Sequence, residues 1–516
     1  GSHYSESQVD RALSLVQKMG FRHVSPQHHD PKTGCTSENF ERYQVTPSMM
    51  PRLKGKEPEA IEKEVREFVQ SWPNTKYAMI FHETGGLGEG IALAPELLGK
   101  QPQPLEGKFL ERRNELLEHI KLHAGIIRKV APEMKIILGN GGTNFNVHWL
   151  REKLPLNYWD ALGMEMAVQL FSPEGQPTGY NLQSFWIANR LKEIYGYPQL
   201  PVTSCYELNF RATGPGGLSL KRQADWYARD VLHMLAYRVP NINVALLMDV
   251  NSGYYVSRWG STGVCFRWPL LMPKPAFVSL STLTRVLDLA EYQGYLNTGS
   301  HGLYCLEFRK GPEYVYAFWC TRGTYQTELT FSSESGSYQL VDSMGKERTE
   351  RYRQARTTLT ATESPGYLVS ASRLVSVKGT KPEHPAPRWK EFSVIARMGS
   401  KEKWFPVEET NEALEKCGAY CPKAKGKFLV ETTKEGSLRL TLQPDPALPD
   451  IVSRYTVIEK EGEPLVIPGK PQQIGIWVKG NSNWGRIIFE VIYAEGRVWS
   501  SFKGEEWELS DWEDDT

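Results

Sequence analysis

With 516 residues, the chain exceeds what a single hydrophobic core can hold, and about two to four domains are expected. Its 61 basic and 60 acidic side chains nearly cancel, which argues against a nucleic-acid or anionic-membrane binder. No apolar run approaches the roughly 20 residues needed to span a bilayer, while aromatic residues, 11% of the chain, suit both ligand stacking and large β-rich cores.

From residue 7 to about 290, helical periodicity alternates with short apolar runs, the grammar of an α/β domain with parallel strands. Helix 7–19 leads to the run Phe21–Val24, helix 58–71 to Tyr77–Phe81, and helix 108–130 to Lys135–Leu138. Ala161–Met164 follows, then helix 181–195 with Leu200–Ser204, and helix 220–237 with Val244–Met248. Polar residues come directly after each run: His28 and His29, His82 and Glu83, Asn140, Glu165, Glu207 and Asp249. In a (β/α)8-type TIM barrel the C-terminal strand ends form the active face, so this accumulation reads as a site.

After about 290 the runs become short and alternating, as in Gly302–Phe308 and Tyr314–Trp319, and describe a β-sandwich over 291–377. Residues 378–388, with Pro382, Pro385 and Pro387, read as a linker. A second β-rich unit fills 389–516, with apolar runs at 474–480 and 487–493 and a turn at Ala494-Glu495-Gly496. Trp477 is expected in its core, with glycan binding by Trp477 or Trp484 as the alternative. The seven cysteines form no paired CxxC motif; a local disulfide or buried thiols account for Cys417 and Cys421 better than zinc, because no second ligand pair follows.

These residues resemble clan A glycoside hydrolases, particularly the barrel-plus-sandwich families 39, 51, 30 and 79. Tyr77–Glu83 is similar to barrel strand four, which ends on the acid/base glutamate, and Pro201–Glu207 to strand seven, which ends on the nucleophile, with two strands between. Trp259-Gly260-Ser261-Thr262-Gly263 and Pro273-Lys274-Pro275-Ala276-Phe277 resemble the entry to the last barrel helix. Val341–Gly345 and Ser364–Leu368 are similar to segments of the sandwich that hugs the barrel, and the last unit resembles a galactose-binding-type jelly roll. The resemblance implies a retaining glycoside hydrolase of 1–290 (barrel), 291–377 (sandwich), a 378–388 linker and 389–516 (carbohydrate-binding-like jelly roll). In two respects the chain departs from the pattern. His82 stands where the families carry the Asn that holds the sugar 2-hydroxyl, and the strand count leaves strands one and two without sequence, as in a fragment truncated at its N-terminus or an atypical barrel.

Retention requires two carboxyl groups about 5 Å apart, one to protonate the leaving oxygen and one to attack the anomeric carbon. Glu83 is the expected acid/base and Glu207 the nucleophile, against the plainer reading of either as a surface ion-pair residue. Glu165 is the competitor for a catalytic role and otherwise a hydroxyl contact. His28, His29, His82, Asn140, Tyr206, Asp249 and Trp259 complete the expected substrate-binding set. Metal at Gln27-His28-His29-Asp30 is disfavoured because adjacent strand residues point to opposite faces. The Gly-rich stretches 84–90 and 139–142 lack both a GxGxxG spacing before a helix and a Walker lysine, so no nucleotide and no other cofactor is expected. The expected partner is an oligo- or polysaccharide, met outside the cell or in the periplasm. Gly1-Ser2-His3 resembles the remnant of a cleaved tag, so the absence of a visible secretion signal says little. A non-catalytic glycan-binding protein on a degenerate barrel is the alternative, and a structural subunit without a cleft the third reading.

Overall fold

The computed structural model describes residues 6–24, 29–50, 57–80, 95–102, 104–139, 148–165, 172–174, 182–206, 210–212, 217–249, 261–267, 271–300, 302–380, 393–398, 402–407, 423–447, 453–470, 474–478, 486–487, 489–496, 498–500 and 510–511. Its contacts divide the chain into two units, residues 1–89 with 104–382, and residues 90–103 with 383–516.

The first unit opens with parallel strands β1 (His23–Val24), β2 (Thr46–Pro47), β3 (Tyr77–Ile80), β4 (Lys135–Leu138), β5 (Ala161–Glu165) and β6 (Val202–Tyr206). β3 to β6 form one sheet in sequence order. β1 pairs with β2, and Met49, just past β2, bridges Ala78 of β3. On the far side the Ser204 amide of β6 donates to the Asn241 carbonyl at 3.0 Å, and Met248 bridges Cys265 in parallel. Neighbours therefore follow one another from residue 23 to residue 265. Between them run α1 (Glu6–Lys18), α2 (Ser37–Arg42), α3 (Pro58–Ser71), α4 (Gly107–Val130), α5 (Leu182–Ile194), α6 (Leu220–Ala236) and, last, α7 (Pro275–Leu287).

The helices form where periodicity and end signals agree. α3 starts on a proline, whose fixed φ suits the first helical position, and buries Ile61 and Val65 one turn apart. α7 likewise starts on Pro275 and buries Ala276, Leu280, Leu283 and Leu287 along one stripe. Hydrogen bonds among the described residues do not close a ring of eight strands. The two ends of the array nevertheless share a core: Leu247 packs against the cluster of Leu13, Val16, Phe40, Val45 and Trp72, and the Thr284 hydroxyl donates to the Met19 carbonyl at 2.7 Å.

Two strand expectations are corrected. β2 and α2 lie between β1 and β3, so the run at 21–24 is not the immediate neighbour of β3; a two-residue strand entered from a six-residue helix carries too little periodicity to be seen. Val244–Met248 is not a regular strand, because its ladder is broken: the Ala245 carbonyl accepts from the Tyr227 hydroxyl of α6 at 2.9 Å.

The chain then builds a sandwich from β7 (Glu291–Tyr295), β8 (Leu303–Lys310), β9 (Glu313–Cys320), β10 (Thr324–Phe331), β11 (Gly336–Val341), β12 (Glu347–Tyr352), β13 (Arg356–Thr362), β14 (Gly366–Ser370) and β15 (Leu374–Thr380). One sheet has the order β12-β11-β14-β9-β8-β7 and the other β13-β10-β15. Cys305, Tyr316, Cys320 and Leu368 face the inner core with Tyr325, Leu329 and Leu359. Their alternate neighbours Leu306, Ala317, Trp319 and Tyr367 point the other way and are also buried. Both faces of the larger sheet are thus covered, the outer one by the parallel-strand region. Lys310 Nζ donates to the Val286 carbonyl of α7 at 3.0 Å, and Lys221 Nζ of α6 to the Ser364 hydroxyl at 2.9 Å. β15 pairs with β10 through Thr380, so the strand extends three residues into the expected linker; Pro382, Pro385 and Pro387 lie outside the described residues.

In the second unit the described residues form ten short strands in five two-stranded pairings rather than the two sheets expected of a jelly roll: β16 (Trp404–Pro406) with β21 (Ile458–Lys460), β17 (Lys423–Lys425) with β20 (Ser453–Tyr455), β18 (Phe428–Thr432) with β19 (Leu438–Leu442), β22 (Arg486–Ile487) with β25 (Ser510–Asp511), and β23 (Glu490–Ile492) with β24 (Val498–Ser500). The Ala494-Glu495-Gly496 turn joins β23 to β24, with Gly496 in the left-handed region at φ 76. Trp477 corrects the core expectation: residues 474–478 form no strand, and its side chain is 62% exposed. Cys417, Cys421 and Trp484 lie outside the described residues.

Candidate functional site

β5 ends on Glu165, which lies opposite Tyr206, the last residue of β6, after a register shift at Met164. Glu207 follows Tyr206 in the chain. β3 ends at Ile80 opposite Leu138 of β4, three residues before Glu83 and two before Asn140 respectively. The strands β3, β4, β5 and β6 therefore bring the sequence neighbourhoods of Glu83, Asn140, Glu165 and Glu207 to one end of one parallel sheet, with two strands between the first and the last. Glu83, Glu207, His28, His82, Asn140 and Trp259 themselves lie outside the described residues, and Glu165 and Tyr206 are placed by strand position only. His29 is exposed and packs edge-on against Trp72, the residue that ends α3, with ring centroids 5.8 Å apart.

Asp249 is placed in full. Its carboxylate is buried at 2% exposure and accepts from Lys274 Nζ at 2.6 Å and from the Gly263 amide at 3.0 Å. Lys274, the lysine of the Pro273-Lys274-Pro275 motif, also donates to the Ser261 carbonyl at 3.3 Å and has no exposed side-chain surface. Burial pushes the Asp249 carboxyl up, against the pull of Lys274 and the Gly263 amide, and pushes the Lys274 ammonium down, against the pull of Asp249. Desolvation thus opposes attraction on both sides, as is general for a buried ion pair. It joins three backbone segments, 248–249, 261–263 and the start of α7, and these bonds take up the Asp249 carboxylate. Gly263 permits the close crossing: a Cβ there would fall on the backbone of Met248 and Asp249. Gly263→Ala should therefore lower stability by about 1–3 kcal/mol or more, read as a fall in the urea midpoint; an unchanged midpoint would mean that the crossing is looser than it looks.

A second buried cluster joins this region to the sandwich. The Glu174 carboxylate, fully enclosed, receives Arg229 Nε at 2.8 Å and Trp319 Nε1 at 2.8 Å, with a further bond from the Arg229 guanidinium. Arg229 also donates to the Ser172 hydroxyl at 2.8 Å, and His233 lies 3.4 Å from Glu174 and 3.1 Å from the Tyr295 hydroxyl. Tyr304 stacks on Trp319 at 5.1 Å, and the His233 ring meets both edge-on. Burial alone would push the Glu174 carboxyl up, but Arg229 and His233 hold it well below the usual carboxylate range. None of these residues stands out in sequence. Arg229 and His233, four apart on a helix, read as a solvated face, and only the sandwich laid over α6 turns that face inward.

Taken together, the first unit is a parallel β/α array with an antiparallel sandwich folded onto its last helices, a fold it shares with a solved glycoside hydrolase. No protein-family model matches the chain, and no curated protein matches it by sequence. Among solved structures it is similar to a family 39 glycoside hydrolase from the gut symbiont Bacteroides cellulosilyticus WH2, at 13% identity, with a TM-score of 0.53 over 70% of this chain and 78% of that one. A family 30 endoxylanase from Clostridium papyrosolvens C71 aligns at 9% identity and a TM-score of 0.46, over 70% of this chain and 92% of that one. Among the described residues no helix is long and apolar enough to cross a membrane, and no group of three or more His, Cys, Asp or Glu side chains could hold a metal.

Proposed function

We propose that the chain is a retaining glycoside hydrolase acting on an oligo- or polysaccharide outside the cell, with Glu83 as acid/base and Glu207 as nucleophile. The observation that carries this reading is the sheet order: the strands that precede Glu83 and Glu207 are parallel members of one sheet separated by two others, so both glutamates follow C-terminal strand ends. In the first half-reaction Glu83 gives its proton to the leaving oxygen while Glu207 attacks the anomeric carbon. In the second, Glu83 takes a proton from water as the water displaces Glu207. Glu165, at the end of the intervening strand β5, is suited to contact a substrate hydroxyl. His82 in place of asparagine favours a second reading, a protein that binds glycan without cleaving it.

One measurement separates the two. Proton NMR of the first product released from a panel of aryl glycosides should show the anomeric configuration of the substrate. An inverted product would rule out double displacement. Saturable glycan binding with no product from any member would establish the binding protein instead.

A further inference from the structure

Two side chains of α6, Gln223 and Tyr227, converge on Phe210, the first described residue after the Glu207 position. Tyr206 ends β6, and the chain is next described at Phe210, three residues past Glu207. There it is gripped on both of its backbone groups: the Phe210 amide donates to the Tyr227 hydroxyl at 3.2 Å, and the Phe210 carbonyl accepts from Gln223 Nε2 at 2.7 Å. The Tyr227 and Phe210 rings also meet edge-on at 5.1 Å. Gln223 and Tyr227 are four apart on α6 and fully buried, so they present one face of the helix to the strands.

The same two side chains hold the neighbouring segments. The Tyr227 hydroxyl lies 2.9 Å from the Ala245 carbonyl and 2.7 Å from the Thr262 carbonyl, and its one proton is shared between them. Gln223 Nε2 also reaches the Ser261 carbonyl at 3.1 Å, where Lys274 Nζ and the Ala212 amide converge at 3.3 and 3.2 Å. Four stretches of backbone, at 210–212, 245, 249 and 261–263, are thus tied to one another through Gln223, Tyr227 and the Asp249–Lys274 pair. These bonds lie outside any strand ladder, and neither burial nor helix geometry requires polar side chains at two fully enclosed positions of α6. A leucine and a phenylalanine would fill the space with less desolvation.

We propose that Gln223 and Tyr227 are positioning residues for the reaction: by fixing the chain three residues beyond Glu207 against the segment ending at Asp249, they set where the nucleophile stands. The inference rests on the reading of Glu207 as nucleophile. Phe210 is only three residues from Glu207 in the chain, so where its backbone is held bears on how far the nucleophile can be from the end of β6. Release of that hold lets the chain drift by a fraction of an ångström, enough to cost rate at the bond-forming step and little in binding.

The test uses Tyr227→Phe in the full chain, with Tyr338→Phe as control. Tyr338 is a buried sandwich tyrosine whose hydroxyl bonds Glu350 at 2.6 Å and Thr357 at 3.1 Å, so its loss costs comparable hydrogen bonds elsewhere. Two readouts are taken well below the melting temperature of each variant. Hydrogen–deuterium exchange of the peptide covering 207–213 should quicken in Tyr227→Phe alone. Labelling of Glu207 by 2,4-dinitrophenyl 2-deoxy-2-fluoro-β-glucoside or the corresponding xyloside, located by peptide mass spectrometry, should slow by about tenfold or more in Tyr227→Phe, with the inactivator's half-saturation unchanged, and stay at the wild-type rate in Tyr338→Phe. Unchanged exchange, or equal labelling rates in Tyr227→Phe and wild type, overturns the positioning role. A label on another residue of the wild-type protein instead overturns the assignment of Glu207 and, with it, what Tyr227 would position.

Discussion

Glu207→Ala should abolish turnover of every glycoside the wild-type protein accepts, and azide should restore it with inverted product, because the small anion fills the space of the missing carboxylate and attacks from the same side. Glu83→Ala should fail differently. Substrates with poor leaving groups lose the most, since an activated aryl leaving group needs little protonation, and the losses should be about 10²–10⁴-fold, the usual weight of a general acid/base. Azide rescue of this variant should yield a glycosyl azide of retained configuration, formed by attack on the glycosyl–Glu207 intermediate that the missing base cannot hydrolyse. The assignment is lost if both alanine variants keep near-normal turnover, or if the two rescue products share one configuration. Glu165→Ala, tested beside them, should raise KM with at most a modest change in kcat; a loss matching that of Glu83→Ala would move the acid/base role to β5.

The second large effect concerns the junction beneath the sandwich. Arg229→Met should destabilise the first unit by about 3–5 kcal/mol, because it leaves the Glu174 carboxylate buried without the guanidinium that offsets its desolvation. The same reasoning sets a pH dependence. The carboxyl of Glu174 is held below its unfolded value by Arg229 and His233, so its contribution is complete above the ordinary glutamate range near pH 4.5 and is lost as pH falls through the lower folded value. Thermal melting of the wild-type chain should therefore fall steeply on acidification below about pH 5, and Glu174→Gln, less stable at neutral pH, should show a shallower acid limb. Parallel acid limbs in the two proteins would mean that Glu174 does not titrate as the bond pattern requires.

Five helices of the parallel-strand region, α1, α3, α4, α5 and α6, were legible from the chain alone to within one or two residues, because each carries an apolar stripe of period 3.6 and a clear stop; α2 was not seen, and α7 was legible by its proline-led entry and its end. Examples are Ser71 before Trp72-Pro73, Val130 before Ala131-Pro132, and Leu287 before a change to alternating runs. The strands from β3 to β6 were also legible as short runs, mostly apolar, among those helices, with β6 lying two residues further on than the Leu200–Ser204 run. So was the change of period near residue 290, since alternation is the signature of strands half exposed in an antiparallel sheet. Sequence order also determined that Glu83 and Glu207 follow strands with two others between.

What sequence could not determine depends on partners distant in the chain. β2 is two residues long and is a strand only because β1 and Met49 with Ala78 lie on either side of it. Asp249 looked like a ligand contact because it follows an apolar run, yet Lys274, 25 residues later, claims its carboxylate. Gln223 with Tyr227, and Arg229 with His233, are each four apart on α6, two pairs that the spacing alone leaves as polar positions on two faces of the helix. They are buried because α6 lies between the strands on one side and a sandwich built from residues 291–380 on the other. A polar side chain at a helical position is exposed by default, and burying these depends on partners distant in the chain: backbone carbonyls at 210, 245, 261 and 262 for Gln223 and Tyr227, and the Glu174 carboxylate with the Tyr295 hydroxyl for Arg229 and His233.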